Sequence, residues 1–338
     1  MRILVTGGGG FLGRYIVKRL LERGDSVTIL GRKPQPDLAD KGVKVVQADI
    51  ADEAAVVEAC WGQDVVYHVA ALAGIWGPRE TYFRANVVGT RNVLKGCKEQ
   101  KVRKLIYTST PSVVFSGGSL QNADESQPYG TRWLCHYAET KAIAEAEVLS
   151  ANCPDLRTVA LRPHLIWGPG DNHLIPRVIA RARTGRLRIV GDGKNRVDIT
   201  HVENAADAHL LAEKALDEPG RADGKAYFLA QEEPIVLWEW INDLLRRLDV
   251  PVVEKQISFA AAYRLGSVLE TVFRTLRLRN EPPMTRFLAI QLAKDHFFDI
   301  SAARRDLDYH PRKTTEQGVR ELVEDLKKAN RFPNSRSR

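Results

Sequence analysis

The chain has 338 residues, 44% of them hydrophobic and 27% charged, which suits a folded globular protein, excludes a disordered or fibrous one, and at this length favours two lobes over one small module. The net charge of +8, from 50 Lys and Arg against 42 Asp and Glu, is scattered, and the one dense basic ending is the tail 331–338, so no nucleic-acid partner is expected. Four cysteines (Cys60, Cys97, Cys135 and Cys153) lack CxxC spacing, which fits buried or inert thiols in a reducing compartment and argues against structural metal; with no signal-peptide pattern and no membrane-spanning run, a cytoplasmic protein is expected.

The first strand candidate, Arg2 to Val5, runs directly into TGGGGFLGRYIVKRLLERG. Glycines at that strand-to-helix turn read either as GxGxxG (Gly8, Gly10, Gly13) or as GxxGxxG (Gly7, Gly10, Gly13), and both spacings let backbone amides at a helix N-terminus approach a pyrophosphate. The second strand candidate, Ser26 to Leu30, is followed by Gly31, Arg32 and Lys33 where an NAD site offers a carboxylate to the ribose, so NADP(H) is expected to be favoured over NAD(H). Asp49, closing the third strand candidate, is placed to reach the adenine edge or to cap a loop. Further β-rich runs (DVVYHVA, KLIYTST, TVALRP) alternate with helix-sized segments, which predicts a parallel sheet covered on both faces.

After Arg162 the rhythm changes, passing through WGPGDN, the strand candidate RLRIVGDG, a helix near Asn204 to Leu216, and GKAYFLA, which returns to the sheet. The expected fold is α/β: a Rossmann-type, doubly wound parallel sheet with a smaller, discontinuous C-terminal substrate lobe. Residues 1–165, joined by 197–230, form the dinucleotide half, and 166–196 with 231–330 form the lobe. Within the lobe, residues 258–278 set Phe259, Ala262, Gly266, Leu269, Phe273 and Leu276 at helical spacing. A core-packed helix is the preferred reading; a lid or membrane-surface helix, with peripheral membrane contact, is the alternative.

Between the fifth and sixth strand candidates stands CHYAETKAIAEA, which puts Tyr137 and Lys141 one helical turn apart on one face. A neighbouring ammonium favours the ionised phenol, so the Tyr137 pKa is expected to fall toward the range useful for proton exchange. The preceding strand ends in the hydroxyl cluster Thr108, Ser109 and Thr110.

Together TGGGGFLG, HVAA (68–71), ANVVGT (85–90), YTST, YxxxK and LRPHLIWGPGD resemble the extended short-chain dehydrogenase/reductase family over essentially the whole chain. The resemblance implies that Tyr137 exchanges the substrate proton, that Lys141 lowers its pKa and binds the nicotinamide ribose, and that Thr110, with Ser109 adjacent, holds the substrate oxygen. It further implies a cofactor site of Gly7, Gly10, Phe11, Leu12, Gly13, Arg32, Asp49, Ile50, Ala70, Tyr137, Lys141 and Pro163, a structural hydrogen-bonding role for Asn86, and a homodimer formed through the helices bearing Asn86 and Tyr137. Pro111 and Ser112 stand where the sugar-nucleotide dehydratases carry Asp and Glu, and Leu165 stands where many epimerases carry the asparagine of LRxxN, so neither activity is expected.

The stretches YTSTPSVVF, RPHLIWGPGDNHLIPR and VGDGKNRVDITHVENAADAH resemble the 3β-hydroxysteroid dehydrogenase branch, and within it the 2-alkyl-3-oxoalkanoate reductases and sterol-4α-carboxylate 3-dehydrogenases. That implies an enzyme interconverting a 3-keto and a 3-hydroxy group on a bulky apolar small molecule that carries a carboxylate. NADPH favours the reductase; the sterol or 3β-hydroxysteroid enzyme is the alternative, and a non-catalytic NADP-responsive regulator is a third. Trp76, Trp167 and residues 258–290 are the candidate apolar wall, and Arg177, Arg196, His164 and His173 the candidate cations for the carboxylate.

Overall fold

The computed structural model describes residues 1–231, 233–278 and 280–328; the basic tail 331–338 lies outside them. Seven strands form the central sheet: β1 (Arg2–Thr6), β2 (Ser26–Gly31), β3 (Lys44–Gln47), β4 (Val65–His68), β5 (Lys104–Thr108), β6 (Arg157–Pro163) and β7 (Lys225–Leu229). Their spatial order is β3-β2-β1-β4-β5-β6-β7, and every pairing is parallel. Ile3, Leu4 and Val5 are all 0% exposed, as expected for a strand covered on both faces. Strand order reverses between β1 and β4, and the crevice at the carboxyl ends of these strands is where ligands of such sheets bind.

Helices α1 (Phe11–Glu22), α2 (Gly89–Glu99), α3 (His136–Ser150) and α4 (Val202–Ala215) cover the sheet. GKAYFLA does return to it: Phe228 on β7 pairs in register with Arg162 on β6. RLRIVGDG shrinks to a two-residue strand, Ile189–Val190, pairing with Gln256–Ile257. A second hydrophobic core, built from Trp167, Ile179, Val190, Trp238, Leu244 and Leu322 among others, lies in the C-terminal half.

One segment assigned to the lobe belongs elsewhere. Phe298 stacks on Phe228 with ring centroids 4.3 Å apart, and the Tyr309 hydroxyl donates to the Ala230 carbonyl at 3.0 Å, so residues 298–309 fill the sheet core. Their pairing partners lie about 70 residues away in sequence, beyond the reach of local periodicity.

The region 258–278 forms α5 (Phe259–Thr275), which crosses α6 (Arg286–Ala293). Gly266 allows that crossing, because a Cβ there would lie 2.6 Å from the Thr285 carbonyl carbon. Ala262 and Gly266 are buried as expected, but Glu270 joins them and Leu276 is 64% exposed. Glu270 tolerates burial because Arg286 donates to it through backbone and guanidinium.

Candidate active site

The glycine turn joins β1 to α1 at the switch point. Gly7 has φ +72, and its amide donates to the Leu30 carbonyl at 2.8 Å. A Cβ on Gly7 would come 2.8 Å from the Ala70 nitrogen, and one on Gly13 would overlap the Gly7 carbonyl oxygen. Gly10 caps α1 with extended backbone and no side-chain hydrogen bond, which leaves the first helical amides of Phe11, Leu12 and Gly13 without a side-chain acceptor. These features form a cradle of backbone donors at a helix N-terminus, suited to a pyrophosphate.

Arg32 and Lys33 are exposed beyond β2 and form no salt bridge among the described residues. Sequence reasoning missed Arg14, which follows the third glycine. Its Nε donates to the Gly9 carbonyl at 3.2 Å, and its guanidinium pairs with Asp37 and Gln35. That pairing brings the Asp37 carboxylate, which follows β2, against the first turn of α1. The arginine neutralises it and holds its pKa below the usual carboxylate value. Asp49 is a turn-former: Oδ1 accepts the Ala51 amide at 3.0 Å and Oδ2 lies 3.5 Å from Arg84. Ile50 packs against Gly89, Ala70 donates its amide to Thr6, and Pro163 ends β6.

α3 carries Tyr137 and Lys141. Lys141 is 2% exposed; its Nζ donates to the Thr108 carbonyl at 2.6 Å and lies 4.0 Å from the Tyr107 ring centroid. Burial pulls its pKa down to about 7, against an upward pull from Glu145. Glu145 is itself fully buried, bound by Arg162 through Nε at 3.0 Å and by the Tyr129 hydroxyl at 2.9 Å. The Tyr137 phenol is pushed up to about 12 by burial, and a hydrogen bond with the Thr110 hydroxyl opposes that rise. The expected fall is therefore not seen: desolvation dominates, and the group that opposes it is Thr110 and not the Lys141 amine.

Thr110 is buried and caps the short helix Pro111–Val114 through Ser112, while the Ser109 hydroxyl is buried without a hydrogen-bond partner among the described residues. Asn86 lies in a π-helical turn, Phe83–Val88, ahead of α2. Its side chain accepts from the Leu72 amide at 2.7 Å and donates to Thr140 at 3.0 Å, tying the loop after β4 to α3 between Tyr137 and Lys141.

The C-terminal lobe closes over Tyr137. Phe115, Cys135, Ala138, Phe287 and Ile290 form a buried apolar cluster against which Tyr137, Ile75, Trp133, Phe259 and Tyr263 pack. Trp76 stands at its margin, edge-on to Phe273 at 6.3 Å and beneath Arg274 at 5.5 Å.

Other substrate candidates sit apart. Trp167 is fully buried against His201 and Trp240 and lines no wall of this cluster. His164 binds the Asp198 carbonyl at 2.6 Å, and burial pulls its pKa to about 3, so it carries no positive charge at neutral pH. Arg177 pairs with Glu281, Arg196 lies over Phe297, and His173 precedes the helix Leu174–Arg183. None of the four pairs with a residue of the Tyr137 cluster among the described residues. A cation that does meet it is Lys294, 4.8 Å from the Phe259 ring centroid, which no motif marks.

The family described as 3-beta hydroxysteroid dehydrogenase/isomerase matches residues 4–260. The chain is 49% identical over 325 residues to a 2-alkyl-3-oxoalkanoate reductase of Stenotrophomonas maltophilia, covering 95% of this chain and 98% of that one. It is 33% identical over 327 residues to a mouse sterol-4-alpha-carboxylate 3-dehydrogenase, decarboxylating, covering 95% and 90%. Among solved structures, gox2253 superposes with a TM-score of 0.77 at 26% identity over 98% of this chain and 99% of that one. MoeE5 in complex with UDP-glucose and NAD gives 0.74 at 21% identity over 98% and 100%, a likeness of fold.

Proposed function

The chain belongs to the 3-beta hydroxysteroid dehydrogenase/isomerase family and is an oxidoreductase of the extended short-chain type acting on a CH–OH group; from that premise we propose that it reduces the 3-keto group of a long-chain 2-alkyl-3-oxo acid with NADPH. The supporting observation is the setting of Tyr137, whose hydroxyl faces Thr110 while its ring lines an apolar cluster built from both halves of the chain. An apolar chain suits that cluster, and Lys294 at the Phe259 ring is the cation for the carboxylate.

Gly7, Gly10 and Gly13 would hold the cofactor's pyrophosphate, Arg32 and Lys33 would meet a ribose phosphate, and Ile50, Ala70 and Pro163 would line its bed. When bound, a reduced nicotinamide would supply the hydride for the substrate carbonyl carbon. Tyr137 gives its phenolic proton to the carbonyl oxygen, since a group held near pKa 12 is fully protonated at neutral pH. Thr110 donates a hydrogen bond to the same oxygen, where charge develops. Lys141, one turn away, stabilises the phenolate left behind. The dinucleotide half comprises 1–165, 197–230 and 298–309, and the substrate lobe 166–196, 231–297 and 310–328.

Purified protein given NADPH or NADH with long-chain 3-oxo acids, 3-ketosteroids or nucleotide sugars tests this by loss of reduced-nicotinamide absorbance. Turnover of the 3-oxo acid with NADPH is expected, and turnover of nucleotide sugars alone overturns the reading. The sterol relatives favour a second reading, oxidation of a 3β-hydroxysteroid carboxylate, which predicts instead that reduced cofactor appears with the sterol. We also propose that the protein is cytoplasmic and a homodimer through the helical segments bearing Asn86 and Tyr137, checked by sedimentation velocity.

A further inference from the structure

Helix α5 has two apolar faces. Its inner face gives Phe259 and Tyr263 to the cluster around Tyr137 and sets Phe273 against Trp76. Its outer face leaves Leu265 (45%), Val268 (60%), Val272 (41%) and Leu276 (64%) exposed. On a 3.6-residue period these four fall within roughly 80°, a single stripe along the helix. With Leu278 they are five of the seven large hydrophobics exposed among the described residues, so the patch is concentrated here.

The charges around the stripe have one sign. Arg264 and Arg277 are exposed, whereas Arg274 lies over Trp76 on the inner side and the helix's single carboxylate, Glu270, is 2% exposed and paired with Arg286 and Arg274. An apolar stripe bordered by arginines is complementary to a bilayer surface bearing anionic headgroups, where hydrocarbon meets Leu and Val and phosphate meets guanidinium. A second copy fits it less well, because pairing this face with itself would bring two sets of arginines together. Among the described residues no helix is long and apolar enough to cross a membrane, so the contact is peripheral.

We propose that the outer face of α5 seats the protein on an anionic lipid surface, with the apolar cluster behind the same helix receiving its substrate from that surface. The second half rests on the 3-oxo acid reading; docking itself does not.

The test is cosedimentation of the full chain with vesicles of phosphatidylethanolamine and phosphatidylglycerol, against vesicles of phosphatidylcholine alone. The wild type is expected to bind the anionic vesicles and to release them as salt rises. Val268→Glu with Leu276→Glu should weaken that binding roughly tenfold or more, while Arg264→Gln with Arg277→Gln should weaken it and flatten the salt dependence. Failure of the wild type to bind anionic vesicles, or equal binding by the Val268→Glu, Leu276→Glu protein, overturns the proposal. So does a self-association that this variant abolishes without any vesicle binding. Turnover of a short, water-soluble 3-oxo acid without vesicles should be the same in wild type and this variant. Its absence from both would instead remove the catalytic reading and leave docking to stand on the vesicle data.

Discussion

On its sheet side the candidate site is held by directed polar contacts. Lys141 is fixed on the Thr108 carbonyl, Asn86 ties Leu72 to Thr140, and Glu145 is clamped by Arg162 and Tyr129, all of them buried or nearly so. On its lobe side it is held by shape: Phe115 meets Phe287 edge-on at 5.8 Å, and Phe259 and Tyr263 pack around Tyr137. Polar groups with fixed partners set a reacting atom to within a few tenths of an ångström, whereas an apolar wall accepts chains of differing length and branching at modest cost. Chemistry is therefore assigned to the first wall and substrate choice to the second.

The largest expected effect probes the polar wall through stability. Arg162→Met leaves Glu145 as a buried carboxylate without its cation, a change that costs about 3–5 kcal/mol. The same truncation at Arg177, whose pairing with Glu281 is half exposed, should cost about 1 kcal/mol or less. Urea unfolding of both variants measures the contrast, and equal losses would mean that burial gives the Glu145 clamp no more weight than a surface pair. Next, Tyr137→Phe should cut turnover by about 10² or more with cofactor affinity nearly unchanged. Full activity in that variant ends the catalytic assignment.

Phe287→Ala tests the apolar wall: KM for a long-chain substrate should rise roughly tenfold while kcat for a short one holds. A fall in kcat for both would mean that the lobe positions Tyr137 as well as the substrate. Lys294→Met should raise KM for the acid and leave that of its methyl ester unchanged. Smaller still, Arg32→Ala should narrow the preference for NADPH over NADH severalfold, with the Arg14 and Asp37 pair left intact.

The polar wall was largely legible because its chemistry is written in short motifs. A glycine turn after a strand, a hydroxyl cluster at a strand end and a Tyr to Lys spacing on a helix each fix local geometry, and all converge on the switch point of the sheet. What was missed depends on distant partners. Nothing near Asp37 in sequence announces that Arg14 will neutralise it, and Lys294 acquires meaning only once α6 delivers it to Phe259. His164 reads as a cation beside Arg162 and Pro163, yet His296, Phe298 and the Asp198 carbonyl surround its ring and desolvation removes its charge. The Tyr137 pKa failed for the same reason: adjacency on a helix was visible, and burial was not.

Lys141 offers the last test, because its shift has a defined sign. Burial lowers its pKa from 10.5 to about 7, so between those values the folded, cofactor-free chain binds fewer protons at this site than the unfolded chain does. Folding then releases protons, and the contribution of Lys141 to stability rises with pH across that window and is lost as pH falls through about 7. In Lys141→Met the group is gone from both states, so the rise attributable to it, about 1.4 kcal/mol for each pH unit inside the window, disappears. Urea unfolding of wild type and variant at both ends of the window measures it. Parallel curves would mean that the amine keeps its proton where it sits on the Thr108 carbonyl, in which case an ammonium does stand beside Tyr137 at neutral pH and the phenol's acidity is set by charge after all.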